Sequence, residues 1–531
     1  MIRLTIDDQT VEVPPGSTIL DAARKLGIDI PALCFRDGCE PSTSCLVCVV
    51  RINNQERLVP SCATLAEDGM QVQSETDDIH QARRTALELL LSDHLGDCIG
   101  PCQTICPAGM NIPLMIRQTA NGAFRDAIVT VKRDIALPAV LGRICSAPCE
   151  NGCRRKEYDD TVAICLLKRY VADIDLADNN PYLPVCKNET GKKVAIVGSG
   201  PAGLTAAYYL RQEGIACTVF DDHENPGGML RYAVPKEKLP CAVLDAEIAL
   251  IEKLGVRFRL STKIGSNITW PDIRNEFDAV LIATGEIKSD KADILQLDTD
   301  KNGLKINRKN NQTSLPNVFA TGSVVHPGKM AVRAVADGKT AAVSITQYLF
   351  DQPLIGIPKP FSVHIGRIRE GEIEKFMINV SADGRSNPEK NNQTGLSAEQ
   401  AQREARRCLH CDCRKYDTCK LRIYAEKYRA RPNRYKQTRP IFEQNIQHPE
   451  IIFEPGKCIN CGLCVQIAAA AGEKPGLTFV GRGFDVRVRV SFNDSLKEAL
   501  TQQTAAQCAA ACPTGALALL PRSAQPHRNR V

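Results

Sequence analysis

Cysteine dominates the residues of this sequence that could do chemistry. Of 531 residues, 24 are cysteine, and many lie one to five residues from another cysteine. Disulfides between cysteines this close are geometrically awkward, whereas a thiolate cage around a metal closes over a short piece of backbone. The chain is long and its N-terminus has no apolar signal segment, so the spacing predicts metal centres and not a secreted disulfide framework.

The first group of cysteines has the spacing C-x10-C-x2-C-x13-C and consists of Cys34, Cys45, Cys48 and Cys62. Over about the first 75 residues the chain resembles the two-iron ferredoxin domain of the large iron-sulfur subunit of respiratory complex I and of related hydrogenase and formate dehydrogenase subunits. The resemblance implies one 2Fe-2S cluster and leaves Cys39 as a spare. A zinc ribbon is the alternative, but it needs two C-x2-C pairs and only one is present.

The middle of the chain contains the segments CPAGMNIP (106–113) and CSAPCENGCRR (145–155). These resemble the N-terminal helical domain of the glutamate synthase small-subunit family, which includes dihydropyrimidine dehydrogenase and the large subunit of a ferredoxin-dependent transhydrogenase. The resemblance implies two four-iron clusters held by Cys98, Cys102, Cys106, Cys145, Cys149 and Cys153.

Two four-iron clusters need eight ligands, so six cysteines leave two places open. His94, four residues before Cys98, is the candidate for one, since this segment resembles the histidine-ligated cluster site of the complex I subunit. For the other, the family places Gln or Glu where this chain has Lys168, a poor ligand. Cys165 lies one helical turn earlier on a similar face, and is either a substitute ligand or a buried apolar residue.

Two further groups of cysteines lie near the C-terminus. Four close cysteines are expected to hold a four-iron cluster or a zinc ion, and these are Cys408, Cys411, Cys413 and Cys419. The last group resembles bacterial ferredoxin, with Ala468 in place of one cysteine, and implies one four-iron cluster held by Cys458, Cys461, Cys464 and Cys512. Cys508 is then a remnant of a lost second cluster.

A dinucleotide-binding fingerprint begins at Lys193, where a buried strand is predicted to run into GSGPAG (198–203) and a helix from Pro201. The first glycine allows a tight turn, the second lets the backbone approach a pyrophosphate, and the third lets helix and strand pack closely. Asp221, about twenty residues on, is expected to accept a ribose hydroxyl. This pattern alone fits NAD and FAD equally, and its candidate residues are Gly198, Gly200, Pro201, Ala202, Gly203 and Asp221.

Later segments favour FAD. GGMLRYAVP (227–235) and the stretch around Gly322 resemble the flavin loops of the glutamate synthase small-subunit family. The resemblance implies FAD contacts from Gly228, Met229, Lys238, Thr284, Gly285, Gly322, Ser323, Ala331 and Val332. The family has Asp where this chain has Ser323, so one charge-assisted hydrogen bond to the flavin becomes neutral and binding is expected to weaken.

The family has a second Rossmann module of about a hundred residues for NAD(P)H between the two flavin segments. Here Gly285 and Gly322 are too close in sequence for such a module. We therefore expect no direct NAD(P)H site in this chain.

The helices and strands expected around these residues indicate a multidomain α/β and α+β protein. The expected parts are a β-grasp 2Fe-2S domain (1–78), a helical 4Fe-4S domain (79–188), a Rossmann-like FAD domain (189–355), a linker (356–396), a basic 4Fe-4S segment (397–440), a ferredoxin-like domain (441–520) and a disordered tail (521–531). Ser397 and Gln400 form the pattern of a capping box that opens a helix before Cys408.

The charge distribution and the hydropathy of the sequence limit the classes of protein to which the chain could belong. The net charge is +6, yet residues 403–439 alone contain thirteen Lys or Arg against four acids. This basic segment is either a solvated helix face or, with zinc, a nucleic-acid-binding module. No stretch has the roughly 18 apolar residues of a spanning helix, so we expect a cytoplasmic protein without a membrane span.

The cofactor set of FAD, one 2Fe-2S and three to four 4Fe-4S clusters predicts an electron-transfer subunit of a hetero-oligomeric oxidoreductase. The complex I-like front domain implies an NADH-oxidising, FMN-containing partner subunit, and the ferredoxin-like tail suggests ferredoxin as another partner. Two alternatives stay open: a flavin-based electron-bifurcating subunit, and a zinc-containing nucleic-acid-binding protein. We expect no nucleic-acid partner.

Overall fold

The computed structural model describes residues 1–53, 55–286, 295–328, 330–388, 394–436, 438–491 and 495–520. The tail predicted at residues 521–531 lies outside the described residues. The chain divides into two compact units, each assembled from separated stretches of sequence. Unit 1 comprises Met1–Gly100, Pro360–Asn379 and His410–Val531, and unit 2 comprises Pro101–Lys359 and Val380–Leu409.

The strands, in chain order, are β1 (Ile2–Ile6), β2 (Gln9–Val13), β3 (Val49–Ile52), β4 (Leu58–Pro60), β5 (Gln71–Gln73), β6 (Lys193–Val197), β7 (Ala216–Phe220), β8 (Arg257–Arg259), β9 (Ala279–Ile282), β10 (Thr299–Asp300), β11 (Gly303–Leu304), β12 (Val318–Ala320), β13 (Ile451–Phe453), β14 (Leu477–Val480), β15 (Arg487–Val490) and β16 (Leu517–Leu519).

The helices are α1 (Ile19–Lys25), α2 (Asp77–Ser92), α3 (Pro101–Ile105), α4 (Ile112–Ala120), α5 (Phe124–Lys132), α6 (Pro138–Ile144), α7 (Pro148–Asn151), α8 (Ile164–Ala177), α9 (Pro201–Gln212), α10 (Met229–Tyr232), α11 (Cys241–Lys253), α12 (Trp270–Glu276), α13 (Ala331–Leu349), α14 (Ile373–Phe376), α15 (Ala398–Ala405), α16 (Lys420–Lys427), α17 (Leu463–Ala470), α18 (Leu496–Ala499) and α19 (Gln502–Ala511).

The N-terminal part of unit 1 is a five-stranded sheet with the order β2-β1-β5-β3-β4. β1 pairs antiparallel with β2 and parallel with β5. Leu4 and Ile6 are buried because alternate side chains of a strand point to the same face. α1 follows Thr18, whose hydroxyl accepts the Asp21 N–H while the Asp21 carboxylate accepts the Thr18 N–H. This capping box fixes the start of α1.

The remainder of unit 1 contains α2 and the short strands of the C-terminal region. β13 pairs antiparallel with β16, and β14 pairs antiparallel with β15. One hydrophobic cluster, called here the shared core, contains apolar side chains together with Cys34, Cys45, Cys98, Cys419 and Cys461. Cysteines from distant parts of the sequence therefore pack into one interior.

Unit 2 contains a helical region and a parallel sheet. Buried side chains of α4, α5, α6 and α8 form one core. The sheet has the order β12-β9-β6-β7-β8, and each neighbouring pair is parallel. Alternate residues of β6 enter different cores: Val194 and Ile196 face α9, α11 and α13, whereas Ala195 and Val197 face α12. A sheet covered on both faces explains the uninterrupted apolar sequence of β6.

Three predicted element starts in unit 2 are confirmed. β6 and α9 begin at Lys193 and Pro201 as the fingerprint predicts. α15 begins after Ser397, whose hydroxyl accepts the Gln400 N–H while the Gln400 side chain accepts the Ser397 N–H. The capping box therefore sets the direction in which the chain approaches Cys408.

Candidate metal centres and dinucleotide site

The first four cysteines converge at the edge of the N-terminal sheet. The Sγ atoms of Cys34 and Cys45 are 3.3 Å apart, too far for a disulfide, and all four thiols are buried and free. The contact with Cys45, and then that with Cys62, lowers the pKa of Cys34 to about 2, whereas the contacts with Cys34 raise the pKa of Cys45 and of Cys62. Four buried and free thiols gathered in this way fit the ligand set of a 2Fe-2S cluster.

The ferredoxin-like cysteines line a cavity in unit 1. Its walls include all four predicted ligands, Cys458, Cys461, Cys464 and Cys512. Cys508 is not among the lining residues, and its thiol donates to the Cys464 carbonyl oxygen at 3.6 Å. The donor set fits one four-iron cluster, and Cys508 packs as a buried apolar residue beside it.

A second cavity, in unit 2, is lined by cysteines in or directly after four helices, α3, α6, α7 and α8. The lining includes Cys106, Cys145, Cys149 and Cys165. The Cys165 thiol donates to the Leu141 and Gly142 carbonyl oxygens at 3.5 and 3.6 Å, and its closeness to Cys145 lowers the pKa of Cys145 to about 6. The sequence left the role of Cys165 open, and the structure brings its thiol to the three predicted ligands. Four thiols around one cavity fit a four-iron cluster.

Lys168 also lines this second cavity, one turn further along α8. Burial lowers the pKa of Lys168, but the nearby thiolates, Cys165 foremost, outweigh burial and raise it overall. Lys168 therefore stays charged beside the thiols. A lysine is no metal ligand in this form, and its charge offsets the negative charge of a four-thiolate cluster.

Three other predicted ligands belong to unit 2 but do not line its cavity. Cys102, Cys153 and Cys408 are partly buried against the helical core. Near Cys153 and Cys408, the buried Arg155 donates through Nη1 to the Arg407 carbonyl oxygen at 3.0 Å. These cysteines remain predicted ligands.

The sequence grouped Cys408, Cys411, Cys413 and Cys419 in one centre, and the structure does not keep this group within one unit. Cys408 is part of unit 2, whereas Cys411, Cys413 and Cys419 are part of unit 1. His94 and Cys98, which the sequence placed with the middle cysteines, also belong to unit 1. The boundary between the units falls inside the first group, between Leu409 and His410, and both groupings stay predictions.

The dinucleotide fingerprint has the geometry that its glycines require. A Cβ on Gly198, at φ +110°, would lie 2.4 Å from the Ala283 carbonyl oxygen, and a Cβ on Gly203 would lie 2.0 Å from the Gly198 carbonyl oxygen. A Cβ on Gly200 would have no heavy atom within 4 Å. Gly198 and Gly203 thus serve internal packing, while Gly200 lies beside the open space at the N-terminus of α9, where a pyrophosphate would be stabilised.

Asp221 directly follows β7, as predicted. One carboxylate oxygen accepts the Ser199 N–H at 2.7 Å and the Ser199 hydroxyl at 2.6 Å, and the other accepts the His223 N–H at 3.0 Å. Hydrogen bonds from Ser199, together with those from His223, lower the pKa of Asp221 although burial opposes them. Asp221 is therefore a fixed carboxylate that also orders the glycine turn.

The loops predicted to contact a flavin surround Gly200. A Cβ on Gly228 would lie 2.8 Å from the Gly200 Cα, and one on Gly322 would lie 3.1 Å from the Ala202 Cβ. The predicted contacts Met229, Lys238 and Thr284 are exposed. The Ser323 hydroxyl donates to the Gly328 carbonyl oxygen at 3.2 Å, so it has a protein partner where the family has a carboxylate.

α13 connects this site with the cysteine cavity of unit 2. A Cβ on Gly338 would lie 2.2 Å from the Ala202 carbonyl oxygen, so α13 contacts the start of α9 without an intervening side chain. Val332, at the N-terminal end of α13, lines the cavity of Cys106, Cys145, Cys149 and Cys165. Ala331 packs against both neighbouring cores.

Three family models match the chain. A 2Fe-2S iron-sulfur cluster binding domain matches residues 1–77, domain II of dihydropyrimidine dehydrogenase with a 4Fe-4S cluster matches residues 72–180, and an NAD(P)-binding Rossmann-like domain matches residues 196–252. The predicted fold class is thereby confirmed.

Curated relatives are subunits of oxidoreductases. NADP(+)-dependent formate dehydrogenase subunit beta of Moorella thermoacetica is 31% identical over 53% of this chain and 44% of its own length. NADPH-Fe(3+) oxidoreductase subunit beta of Geobacter sulfurreducens is 38% identical over 36% and 28%, and the glutamate synthase (NADPH) small chain of Bacillus subtilis is 36% identical over 38% and 40%. The resemblance to the glutamate synthase small chain is confirmed, although the chain spans less than half of each relative.

Among the described residues, no helix is both long enough and apolar enough to cross a membrane.

Proposed function

We propose that this chain is an FAD-containing and iron-sulfur-containing electron-transfer subunit of a multi-subunit oxidoreductase. The proposal extends the homology to oxidoreductase subunits with two statements about this chain. The dinucleotide is FAD, and electrons enter or leave through partner proteins and not through a nicotinamide site of its own. FAD exchanges two electrons and each cluster exchanges one, so together they divide or collect electron pairs.

The observation that carries the proposal is the position of α13. Gly338 of α13 contacts Ala202 at the start of α9, beside the turn that would bind the pyrophosphate. Val332, the second residue of α13, lines the cysteine cavity. A dinucleotide and a cluster bound at these two places would be separated by one helix end. A short distance between a dinucleotide and a cluster would allow electron transfer between them, whereas a structural zinc site would gain nothing from a nearby dinucleotide.

The chain's own residues define what each site would do. The amide-rich start of α9 and the open face of Gly200 bind an anionic pyrophosphate, and Asp221 keeps the turn in shape. Val332 and the other apolar lining residues exclude water from the cysteine cavity. Lys168 supplies a fixed positive charge there, which favours uptake of an electron.

The proposed partners follow from the front domain and the tail. The 2Fe-2S domain resembles one that docks to an NADH-oxidising, FMN-containing subunit, and the C-terminal cavity resembles that of ferredoxin. The curated relatives are named as subunits, which supports a hetero-oligomeric complex. We therefore propose an NADH-oxidising flavoprotein as donor, with ferredoxin as a second partner.

Anaerobic reduction tests the absence of a direct nicotinamide reaction. The protein is purified without oxygen, its iron and zinc are counted, and NADH or NADPH is added while flavin absorbance is followed. We expect the flavin to stay oxidised with either nucleotide alone and to bleach when a catalytic amount of an NADH-oxidising diaphorase and a mediator is added.

Each result has a defined meaning. Rapid bleaching by NADH or NADPH alone would contradict the proposed partner dependence. Zinc in place of iron would contradict the electron-transfer function and support the nucleic-acid-binding alternative. Bound FMN or NAD in place of FAD, identified by chromatography after denaturation, would contradict the assignment of the dinucleotide site.

A further inference from the structure

Three buried cysteines of unit 1 come together although they are distant in sequence. The Cys413 N–H donates to the Cys98 carbonyl oxygen at 3.3 Å. Cys98 and Cys419 are both part of the shared core, and all three residues are buried and not in disulfides. Cys98, which follows α2, therefore lies in the same region as Cys413 and Cys419, which precede α16.

Cys413 lies within electrostatic range of both Cys98 and Cys419, and Cys98 lies within range of Cys419, so the three side chains belong to one buried region of unit 1.

His94 lies next to this trio and has an unused nitrogen. Its Nδ1 atom is enclosed and has no hydrogen-bond partner among the described residues. The neighbouring backbone is fixed, because the Leu95 N–H donates to the Gly456 carbonyl oxygen at 2.7 Å. A buried ring nitrogen without a partner costs free energy, and a bound metal would remove that cost.

A buried cation lies between His94 and Cys413. The Cys413 and Lys457 side chains are neighbours, because both lie close to Gly515. A Cβ added to Gly515 would lie 2.4 Å from the Cys413 Sγ and 3.5 Å from the Lys457 Cδ. Gly96, two residues after His94, faces the Lys457 side chain. Lys457 is buried and pairs with Glu454 at 2.6 Å. This charge would offset the negative charge of a thiolate-ligated cluster.

We propose that one four-iron cluster of unit 1 is held by His94, Cys98, Cys413 and Cys419. This centre differs from both groups in which the sequence placed these residues. It rests on the proposed iron-sulfur function, because three cysteines and one histidine could also hold zinc. The setting favours iron: the shared core also contains cysteines of the 2Fe-2S and ferredoxin-like sites, and Cys512 acts electrostatically on Cys419.

Single and double variants of the anaerobic full-length protein test which residues share a centre. We expect Cys98→Ala and Cys413→Ala each to lose about four iron atoms, and the double variant to lose no more than either alone. Cys413→Ala combined with Cys458→Ala should lose about eight, since these residues are assigned to different centres. Cys39→Ala, a half-buried cysteine of unit 1 outside every group, should lose none.

His94→Cys gives a readout that does not depend on losing the cluster. It keeps a ligand at the position, so iron content should stay constant, while nitrogen hyperfine coupling in the pulsed EPR spectrum of the reduced protein should disappear. Circular dichroism and flavin content verify that each variant folds, and if the alanine variants do not fold, His94→Cys decides alone.

Several outcomes would overturn the assignment. Loss of about eight iron atoms in the Cys98/Cys413 double variant would place these residues in separate centres. Absence of nitrogen coupling in the wild type would remove His94 from the ligand set. Zinc at this site with iron elsewhere would overturn only this inference, whereas a protein with zinc and no iron would overturn the proposed function as well.

Discussion

Lys168 is a buried cation on the wall of the unit 2 cysteine cavity. If Cys165 is the fourth ligand, the role of Lys168 is electrostatic. A positive charge close to a cluster stabilises its reduced, more negative form and so raises its reduction potential.

Lys168→Met should therefore lower the reduction potential of this cluster. Methionine is similar in size and has no charge, so we expect a fall of about 50–100 mV, given that 59 mV corresponds to about 1.4 kcal/mol for one electron. Redox titration followed by EPR measures the shift. Lys253→Met, at an exposed position on α11, is the matched control and should leave the potential unchanged. Loss of iron from Lys168→Met would instead identify Lys168 as necessary for cluster binding.

Gly200 and Gly203 occupy the same turn with different surroundings. A Cβ has free space at Gly200, where φ is −70°, but would collide with the Gly198 carbonyl oxygen at Gly203. Only the first position therefore accepts a side chain without disturbing the fold.

Gly200→Val should separate cofactor binding from stability. We expect bound flavin to fall at least about tenfold because the side chain would fill the pyrophosphate space, while the melting temperature of the flavin-free protein stays close to that of the wild type. Gly203→Ala should lower the free energy of unfolding by about 3 kcal/mol or more through overpacking. Normal flavin content in Gly200→Val would show that the dinucleotide binds elsewhere.

At the scale of elements, the contact between α6 and α11 depends on a buried carboxyl group. Glu247 of α11 accepts the Ala139 and Val140 N–H groups at 2.7 and 2.9 Å, at the start of α6. Burial raises the pKa of Glu247 from 4.5 to about 7, although these two hydrogen bonds act in the opposite direction. The folded state therefore retains a proton on Glu247 that the unfolded state releases.

This shift predicts that unit 2 loses stability as pH rises from about 4.5 to 7. The folded state binds the proton more tightly over this window, so the free energy of unfolding should fall by up to about 1.4 kcal/mol per pH unit and level off above pH 7. Glu247→Gln mimics the protonated form and should remove this pH dependence in anaerobic denaturant titrations. Glu252→Gln, exposed on the same helix, should retain it. Parallel pH profiles for wild type and Glu247→Gln would contradict the prediction.

The elements that sequence predicted well are those whose information is local. The capping box at Ser397 and the strand and helix of the fingerprint begin at the predicted positions, since each depends on a few adjacent residues. Local information also places three of the four ferredoxin-like cysteines on one cavity wall, because Cys458, Cys461 and Cys464 are close in sequence.

The grouping proposed for Cys98 and the position of Cys165 depend on tertiary contacts. Cys98 meets Cys413 because the segment after α2 packs against the segment before α16, and no spacing rule covers two pieces of chain so far apart. Cys165 reaches the unit 2 cavity through the path of α8. The number of ligands was the sign in the sequence that other residues must contribute, since the six middle cysteines were too few for two clusters.

At the scale of the whole molecule, unit 1 combines candidate centres from both ends of the chain in one interior. Cys34 of the 2Fe-2S site acts electrostatically on Cys461 of the ferredoxin-like site, and both residues are part of the shared core. If both sites hold clusters, we expect the clusters to exchange electrons and to interact magnetically when both are reduced.

Magnetic interaction tests this arrangement in the intact protein. In the fully reduced wild type we expect the EPR signal of the 2Fe-2S cluster to be broadened and to relax faster than in an isolated ferredoxin domain. Cys458→Ala should remove the ferredoxin-like cluster, about four iron atoms, and restore a narrow, slowly relaxing 2Fe-2S signal. Cys149→Ala removes a proposed ligand in unit 2 and serves as the control with equal iron loss. An unchanged 2Fe-2S relaxation rate in Cys458→Ala would show that the two sites of unit 1 do not form adjacent steps of one electron path.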